Sequence, residues 1–271
     1  GLPVPGRGRG VSRDDGYDAR KAALIRQVQS GGGPVGLSKR TSNLFRDRAA
    51  TAKRRLDVHA FQHVLAVDAA AASVDTEGMT TYEALTDATL AHGVMPAVVP
   101  QLKTITVGGA AAGVGIEASS FRYGLVHETL LALEVLLADG SVVRCTPDND
   151  HRDLFFGFAN SYGTLGYALR VTARTIPVKP FVRLEHRCHA DPAAFFADLD
   201  EQCAGDADFV DGVVFGPREL VLSVGRFADH APYTSDYSFE HIYYRSLRAR
   251  SEDILAVRDI NWRWDTDWFW G

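Results

Sequence analysis

The chain contains 271 residues, of which 46% are hydrophobic and 23% are charged, and its formal net charge is −5. This length and composition are typical of a soluble protein with one large or two ordinary domains. The acidic balance excludes nucleic acid as an expected partner. The longest apolar run covers residues 130–138 and contains Glu134, so no membrane span is predicted. Three cysteines without C-x-x-C spacing indicate a reducing cytoplasm and no metal site.

The N-terminal region combines a tail, a helix and a polar loop. Residues 1–19 are assigned to a flexible tail rich in Gly, Pro, Arg and Asp, and the apolar spacing over 17–29 predicts a first helix. A short buried strand at 34–37 runs into the loop 38–46, which combines three cations with small polar side chains. Local residues leave two interpretations of this loop open, a solvated turn or a phosphate-binding loop.

Two more elements are predicted before residue 100. Residues 64–67 and 72–76 have the composition of a β-hairpin. Thr80 and Glu83 have the spacing of a capping box, with Thr80 as the N-cap. The helix that they open is predicted to end at Gly93, because glycine commonly terminates helices.

The most unusual stretch covers residues 104–124. A β-branched run at 104–107 predicts a strand, and five glycines follow within 17 residues. Such a backbone turns with positive φ and presents a row of N–H groups, which favours a phosphate or pyrophosphate ligand. The run 113–118 also matches G-x-G-x-x-A, the fingerprint of a Rossmann dinucleotide site. That site requires a strand directly before the motif and a long helix directly after it, but no strand precedes the motif directly and Gly124 would interrupt the helix, so a Rossmann site is rejected.

The remaining chain predicts strands, turns and a second domain. Asp139-Gly140 marks a hairpin between 130–138 and 141–145, helical turns follow at 150–158, and a glycine-marked turn at 160–166 precedes an alternating strand. Pro177 and Pro180 mark a boundary, which divides the chain into domains at 20–176 and 177–271. The second domain is predicted as α+β, with these elements: a strand at 181–186, a helix at 191–203 and a hairpin at 209–215 and 220–227.

These motifs resemble the FAD-binding domain of the PCMH-type, vanillyl-alcohol-oxidase superfamily. Within it they are most similar to the Δ24-sterol reductase (DIMINUTO/seladin-like) branch and its bacterial FAD-linked oxidase relatives. The resemblance covers about residues 20–271 and is densest from Thr104 to Gly166. It implies an α+β fold with two subdomains enclosing FAD, followed by the start of a substrate cap domain. The motifs are Thr106-Val-Gly-Gly109, Gly113 to Ser120, Tyr123-Gly124, Leu137 to Pro147, Asp153 to Phe155 and Gly163 to Gly166.

The resemblance also implies which residues bind FAD. Many relatives attach the flavin to a histidine in the first loop, whereas this chain has no histidine before His59, so non-covalent FAD is expected. The first pyrophosphate loop would be Lys39, Arg40, Thr41, Ser42 and Asn43. The remaining cofactor-binding residues would be Thr106, Gly108, Gly109, Gly113, Ile116, Glu117, Ser119, Ser120, Gly163, Thr164, Gly166 and Val171.

The implied activity is that of an FAD-dependent oxidoreductase that transfers hydride through flavin N5, with reduction of an isolated C=C bond as the sterol-reductase-like reaction. NADPH is implied as an electron donor. A proton donor is also required, and Tyr123, His127 and Tyr162 are the candidates. Packing roles for the tyrosines and a capping role for His127 stay open. Glu117 is assigned to cofactor binding.

The implied substrate is a small molecule, a sterol or another lipid, with peripheral contact to a membrane as a further expectation. All four tryptophans lie between Trp262 and Trp270, and core packing is preferred over a membrane-binding belt for this cluster. Related proteins continue beyond this region, so the cap is expected to be incomplete. Two alternatives therefore remain, a flavin-binding fragment without turnover and an FAD-linked oxidase of a small alcohol.

Overall fold

The computed structural model describes residues 16–39, 53–237 and 241–265. Its first helix, α1, covers Tyr17–Gln29 as predicted. The helix begins inside the segment assigned to the tail, because the Tyr17 ring is only 1% exposed and packs edge-on against Phe61. Leu24 joins the same apolar cluster. Folded structure thus begins at least by Tyr17.

Two sheets and a helix occupy the next part of the chain. Strand β1 covers Val35–Ser38, where a strand is predicted, and it pairs in parallel with β2, Arg54–Asp57. The predicted hairpin is confirmed as β3, Val64–Asp68, and β4, Ser73–Glu77, which pair antiparallel. The elements that follow are helix α2, Tyr82–Leu90, and strand β5, Val94–Pro96.

The N-cap of α2 differs by one residue from the prediction. Thr81 caps the helix, since its hydroxyl accepts a hydrogen bond from the N–H of Ala84 at 3.3 Å. The Thr80 hydroxyl instead donates to the carbonyl of His63. The capping box on Thr80 and Glu83 is therefore wrong, because a tertiary contact takes the hydroxyl that the local pattern assigns to the cap.

A six-stranded antiparallel sheet forms the centre of the N-terminal part of the structure, where the first domain is predicted. Its long strand β8, Tyr167–Pro177, lies between β4 and β6, Leu130–Leu136, and β5 pairs with its C-terminal end. Strand β7, Val142–Cys145, completes the edge. The β6–β7 hairpin at Asp139-Gly140 is confirmed, and Gly140 has the positive φ, 85°, that this turn requires.

The stretch predicted as a strand at 104–107 instead begins a helix. Helix α3 covers Val107–Ala112, and Thr106 is its N-cap. Gly108 packs so closely on the neighbouring backbone that an added Cβ would lie 2.8 Å from the Gly78 carbonyl oxygen. Gly108, Gly109, Gly113 and Gly115 all lack positive φ. These glycines therefore serve close packing rather than the expected left-handed turns.

Short helices connect these elements to the second sheet. They are α4, Ser120–Tyr123, a 3₁₀ turn, Val126–Thr129, and α5, Arg152–Gly157, which lies where helical turns are predicted. Beyond β8, strand β9 covers Phe181–His189 and helix α6 covers Pro192–Ala204. Asp191 caps α6 through Ala194 and Pro192 opens it, which explains why the sequence pattern locates this helix so well.

A four-stranded antiparallel sheet with the order β10-β11-β9-β12 occupies the C-terminal part of the structure, where the second domain is predicted. The predicted hairpin is confirmed as β10, Phe209–Gly216, and β11, Glu219–Ala228. One face packs against α6, and the other joins a cluster with Met95 and Ala118 of the first domain. The last elements are α7, Tyr243–Ser246, β12, Glu252–Ala256, and α8, Val257–Ile260.

Candidate cofactor site

Three segments named by the sequence analysis meet at the C-terminal end of α3. The N–H of Tyr162 donates to the carbonyl of Ala112 at 2.9 Å. The N–H of Val126, in the 3₁₀ turn, donates to the carbonyl of Gly115 at 3.0 Å. The loop 113–116, the 3₁₀ turn and the turn 160–166 therefore form one surface, which we call the α3 rim.

The first turn of α3 is closed to a ligand. The N–H groups of Val107 and Gly108 donate to the carbonyls of Thr80 and Gly78, and that of Gly109 donates to the Thr106 hydroxyl at 3.3 Å. All three donors that a phosphate would need are therefore used by the protein. The expectation that Gly108 and Gly109 hold pyrophosphate through their amides is wrong for this reason, although Gly109 itself lies at the surface.

Free donors lie instead in the loop after α3. Within the described part of the chain, no group accepts a hydrogen bond from the N–H of Val114, Gly115 or Ile116. The Val114 and Ile116 side chains are 50% and 70% exposed, and Tyr162 and Leu165 on the neighbouring turn are 50% and 43% exposed. Consecutive free amides suit the oxygens of a cofactor, and exposed apolar side chains suit a flat ring system, so the α3 rim fits FAD.

Several other predicted cofactor residues have structural tasks. The Ser119 hydroxyl is buried and donates to the carbonyl of Ala97 at 2.8 Å. The Ser120 hydroxyl accepts from the N–H of Glu117 at 3.0 Å. Val171 is fully buried in the core, so its side chain cannot contact a ligand. The predicted cofactor roles of the Ser119 and Val171 side chains are corrected accordingly, because the protein itself takes these groups.

The turn 160–166 places its predicted residues at the surface. Gly163 is exposed and has φ 83°, a backbone conformation that residues with a side chain rarely adopt. The Thr164 hydroxyl donates to the carbonyl of Ser161 at 2.7 Å and shapes the turn. Gly166 packs against β6, where a Cβ would lie 2.5 Å from the Leu136 carbonyl oxygen. In the first loop, Lys39 is half-buried, whereas Arg40, Thr41, Ser42 and Asn43 lie outside the described residues.

Glu117 is the ionisable group with the most unusual surroundings at this site. Its side chain is 11% exposed and accepts from the N–H of Ala118 at 3.1 Å. Burial raises the pKa of Glu117 to about 7, against the opposing effect of the Arg263 guanidinium 4.0 Å away. A carboxyl with this pKa exchanges protons near neutral pH, which is the property expected of an acid catalyst.

The three predicted acid candidates differ in their surroundings. Tyr123 ends α4 and is half-buried between the cores of both domains, and burial raises its pKa. His127 lies in the 3₁₀ turn, and its Nδ1 is buried without a hydrogen-bond partner among the described residues. Tyr162 lies on the α3 rim with φ 50°. The structure thus brings His127 and Tyr162 to the rim and places Tyr123 at the contact between domains.

We expect Glu117 to make the stability of the protein depend on pH. Its pKa in the folded protein lies above the ordinary value of 4.5, so its contribution to stability is complete below about pH 4.5 and is lost as the pH rises through 7. The free energy of unfolding should fall by up to about 3 kcal/mol between pH 5 and pH 8 from this group. Glu117→Gln should remove this slope in urea-unfolding series.

Glu201→Gln, on the exposed side of α6, is the control and should keep the parental slope. A Glu117→Gln variant whose unfolding free energy still falls by the parental amount would contradict the assignment of the slope to this carboxyl.

Three important residues escape the sequence pattern. Gly78 accepts from Gly108 and donates to Leu169, and it stands against the Ala168 carbonyl, yet it lies alone in the sequence. Asp211 and Arg263 belong to distant segments and form a partly buried ion pair beside Glu117. No local signal reveals such a pair, although a charged residue at an inward position of the predicted strand 209–215 is a weak indication.

Comparison with known proteins identifies the cofactor class. Residues 22–146 match the family described as an FAD binding domain. The chain therefore contains an FAD-binding domain of the PCMH type, in an α+β fold, and the resemblance noted from the motifs is confirmed.

The similar proteins include several reductases. The Delta(24)-sterol reductase of Arabidopsis thaliana is 33% identical over 226 residues, which cover 80% of this chain and 39% of that protein. That of Homo sapiens is 31% identical over 218 residues, covering 76% and 42%. Cytokinin dehydrogenase 7 of Oryza sativa subsp. japonica is 33% identical over 156 residues, covering 56% and 30%. The chain spans about two fifths of the length of the two reductases.

Proposed function

We propose that this protein is an FAD-dependent oxidoreductase whose flavin lies on the α3 rim. The observation that carries the proposal is the set of amides at Val114, Gly115 and Ile116, which have no acceptor among the described residues and lie beside exposed apolar side chains, within a chain that contains an FAD-binding domain. When bound, FAD supplies the hydride donor or acceptor through its N5 atom. The residues of the chain hold and orient the cofactor and manage the proton.

The reaction that the similar reductases suggest is reduction of a C=C bond in a sterol or another lipid. One carbon of the double bond receives the hydride, and the neighbouring carbon takes a proton from an acid that faces it. Glu117 joins Tyr123, His127 and Tyr162 as a candidate for that acid, because burial brings its pKa to about 7. In this role its protonated carboxyl gives up the proton and recovers it from solvent after turnover.

Anaerobic titration of the purified, flavin-loaded protein tests this function. We expect NADPH or NADH to bleach the flavin absorbance near 450 nm, about the usual position of oxidised flavin, and an alkene substrate to restore it. Reduction of the flavin by an alcohol or amine substrate would favour an oxidase or dehydrogenase instead, as the name of the rice relative suggests. A bound flavin that no donor reduces would support the alternative of a binding fragment without turnover.

The four acid candidates are separated by conservative variants. We expect Glu117→Gln, Tyr123→Phe, His127→Gln or Tyr162→Phe to slow reoxidation by the alkene by about 100-fold in one case, since general acid catalysis contributes 10²- to 10⁴-fold. The other variants should keep a near-parental rate with flavin bound. Parental reoxidation rates in all four variants would show that the proton comes from solvent or from a residue outside this set.

We expect the flavin to be bound without a covalent link. The first loop contains no histidine, and the first histidine of the sequence, His59, uses its Nδ1 in a hydrogen bond to Asp57 at 2.7 Å. Acid precipitation should therefore release all flavin into the supernatant, as measured by its absorbance. Yellow colour that stays in the washed pellet would contradict this prediction.

A lipid substrate would be taken from a membrane surface or a carrier. Among the described residues no helix combines the length and apolar character needed to cross a bilayer. Of the tryptophan cluster, Trp262 is buried at 4% exposure, in agreement with core packing, while Trp268 and Trp270 lie outside the described residues. Cosedimentation with lipid vesicles measures whether this protein contacts membranes peripherally.

A further inference from the structure

A row of three polar residues, two buried and one partly buried, interrupts the sheet face that packs against the FAD-binding domain. The apolar members of that face include Val182, Leu184 and Val221. At the next positions along the strands stand Asp211 of β10, Ser223 of β11 and His186 of β9. Alternation predicts apolar side chains at these inward positions, so three polar ones in one row require a separate explanation.

The row is continuous across the three strands. Asp211 is the register partner of Ser223, and Ser223 is the register partner of His186. His186 is 4% exposed and its Nδ1 lies 2.9 Å from the Ser223 hydroxyl. Burial lowers the pKa of His186, so this ring is neutral at pH 7 and adds no charge to the row.

Arg263 connects this row to the cofactor segment. Its side chain is 2% exposed, it hydrogen-bonds to the Asp211 carboxylate, and its Nη2 lies 4.0 Å from the Glu117 Oε2. The guanidinium also lies over the Tyr243 ring, 5.5 Å from its centroid. One buried cation therefore stands between two carboxylates, one from each domain.

The second domain also binds the backbone next to Glu117. The N–H of Val210, adjacent to Asp211, donates to the carbonyl of Ala118 at 2.8 Å. Arg122 donates to the carbonyls of Gly205 and Ala207, at 3.0 and 2.8 Å. These bonds fix the distance between Glu117 and the Asp211–Arg263 pair, so the charges of that pair act on Glu117 at a defined range.

We propose that Arg263 is a positioning residue, which is shared between Asp211 and Glu117 and thereby holds the Glu117 carboxyl beside the α3 rim and determines whether it is protonated. This role of Arg263 bears on flavin chemistry only if FAD binds at the α3 rim, as the proposed function states. It also assigns a task to the second domain, because Asp211 and Arg263 both lie there.

The charged groups that face Glu117 act in opposite directions. Arg263 lowers the pKa of Glu117 and Asp211 raises it, while burial raises it most. Replacing Asp211 by Asn should therefore leave Arg263 to stabilise the Glu117 carboxylate alone. Tyr243 and His186, which pack behind Arg263, are not ionised at neutral pH because burial raises the pKa of the first and lowers that of the second.

The test measures Glu117 directly and does not need bound flavin. The full chain is labelled with glutamate carrying ¹³C at its carboxyl carbon, and Glu117→Gln identifies the Glu117 resonance by its loss. We expect this resonance to titrate with a midpoint near pH 7 in the parent. Asp211→Asn should lower the midpoint by about one pH unit, and Arg263→Gln should raise it by about as much.

Two further variants keep the test decisive. Arg263→Lys retains the positive charge, so its midpoint should lie nearer to the parental value than that of Arg263→Gln, even where the Gln variant folds poorly. Arg248→Gln removes an exposed arginine that pairs with Glu219 and should leave the Glu117 midpoint unchanged.

A midpoint in Asp211→Asn that equals the parental one overturns the proposal, and so does a parental Glu117 that titrates near its ordinary value of 4.5. The same samples are then loaded with FAD and their visible spectra are recorded between pH 5 and 9. A flavin spectrum that follows the Glu117 titration supports the proposed function, whereas failure to bind flavin counts against that function alone.

Discussion

Gly78→Ala is expected to prevent stable folding of the FAD-binding domain. A Cβ at this position would lie 1.8 Å from the carbonyl oxygen of Ala168 and 3.0 Å from its carbonyl carbon. Both contacts are with the backbone of the central strand β8, so no side-chain rotation relieves them. Gly78 also donates to Leu169 and accepts from Gly108, which prevents a simple shift of the chain.

The cost should reach or exceed about 3 kcal/mol, the upper part of the range for overpacked sites. This is a large fraction of the roughly 5–15 kcal/mol that stabilises an ordinary domain. Urea unfolding followed by circular dichroism measures it. Gly32→Ala is the matched control, because an added Cβ there meets no atom within 4 Å. A Gly78→Ala protein as stable as Gly32→Ala would contradict the close packing of α3, β4 and β8.

Ile116→Pro is expected to cause the second largest effect, a loss of flavin affinity. Proline has no N–H, so this change removes one of the three free donors of the α3 rim. Hydrogen bonds to charged acceptors contribute about 1.5–3 kcal/mol, so the dissociation constant for flavin should rise roughly 10- to 150-fold. Fluorescence titration of the flavin-free protein with FAD gives this constant.

Ile116→Ala is the comparison variant, since it shortens the same side chain but keeps the N–H. We expect it to weaken FAD binding by less than Ile116→Pro does, because it removes only apolar contact of the exposed side chain and keeps the backbone donor. Equal losses in the two variants would assign the contact to the side chain. Undiminished affinity in Ile116→Pro would move the cofactor away from this loop.

The position of Glu117 links these two regions of the molecule. Residues 117–124 leave the α3 rim and run directly against the four-stranded sheet, where Ala118 binds Val210 and Arg122 binds the end of α6. The proposed cofactor contact at Ile116 and the contact of Glu117 with Arg263 are therefore only one residue apart. A change in how the four-stranded sheet packs is expected to shift the pKa of Glu117, because it would move Asp211 and Arg263 relative to that carboxyl.

Elements that depend on neighbouring residues were predictable from sequence. Asp139-Gly140 determines the β6–β7 turn because its φ requirement is local, and Asp191-Pro192 determines the start of α6 because capping involves only the next three residues. The turn 160–166 belongs to the same group, with Gly163 at φ 83°. The FAD-binding family could likewise be recognised by the resemblance of these motifs to a known family, whereas the local residues alone indicated only a phosphate-bearing ligand.

Features that depend on distant residues were decided only by the tertiary structure. The β-branched run at 104–107 favours a strand, yet helix α3 begins there. Gly108 of this helix packs against Gly78 and the Ala168 carbonyl, where a side chain would collide with the backbone. The amides without an acceptor among the described residues lie at 114–116 rather than at Gly108 as predicted. The reason is again tertiary, because the carbonyls of Thr80 and Gly78 accept from the N–H groups of Val107 and Gly108. In the sequence Glu117 looks like an ordinary loop carboxylate. Its pKa is raised only because folding buries it and brings Asp211 near it, and this effect exceeds the opposing effect of Arg263.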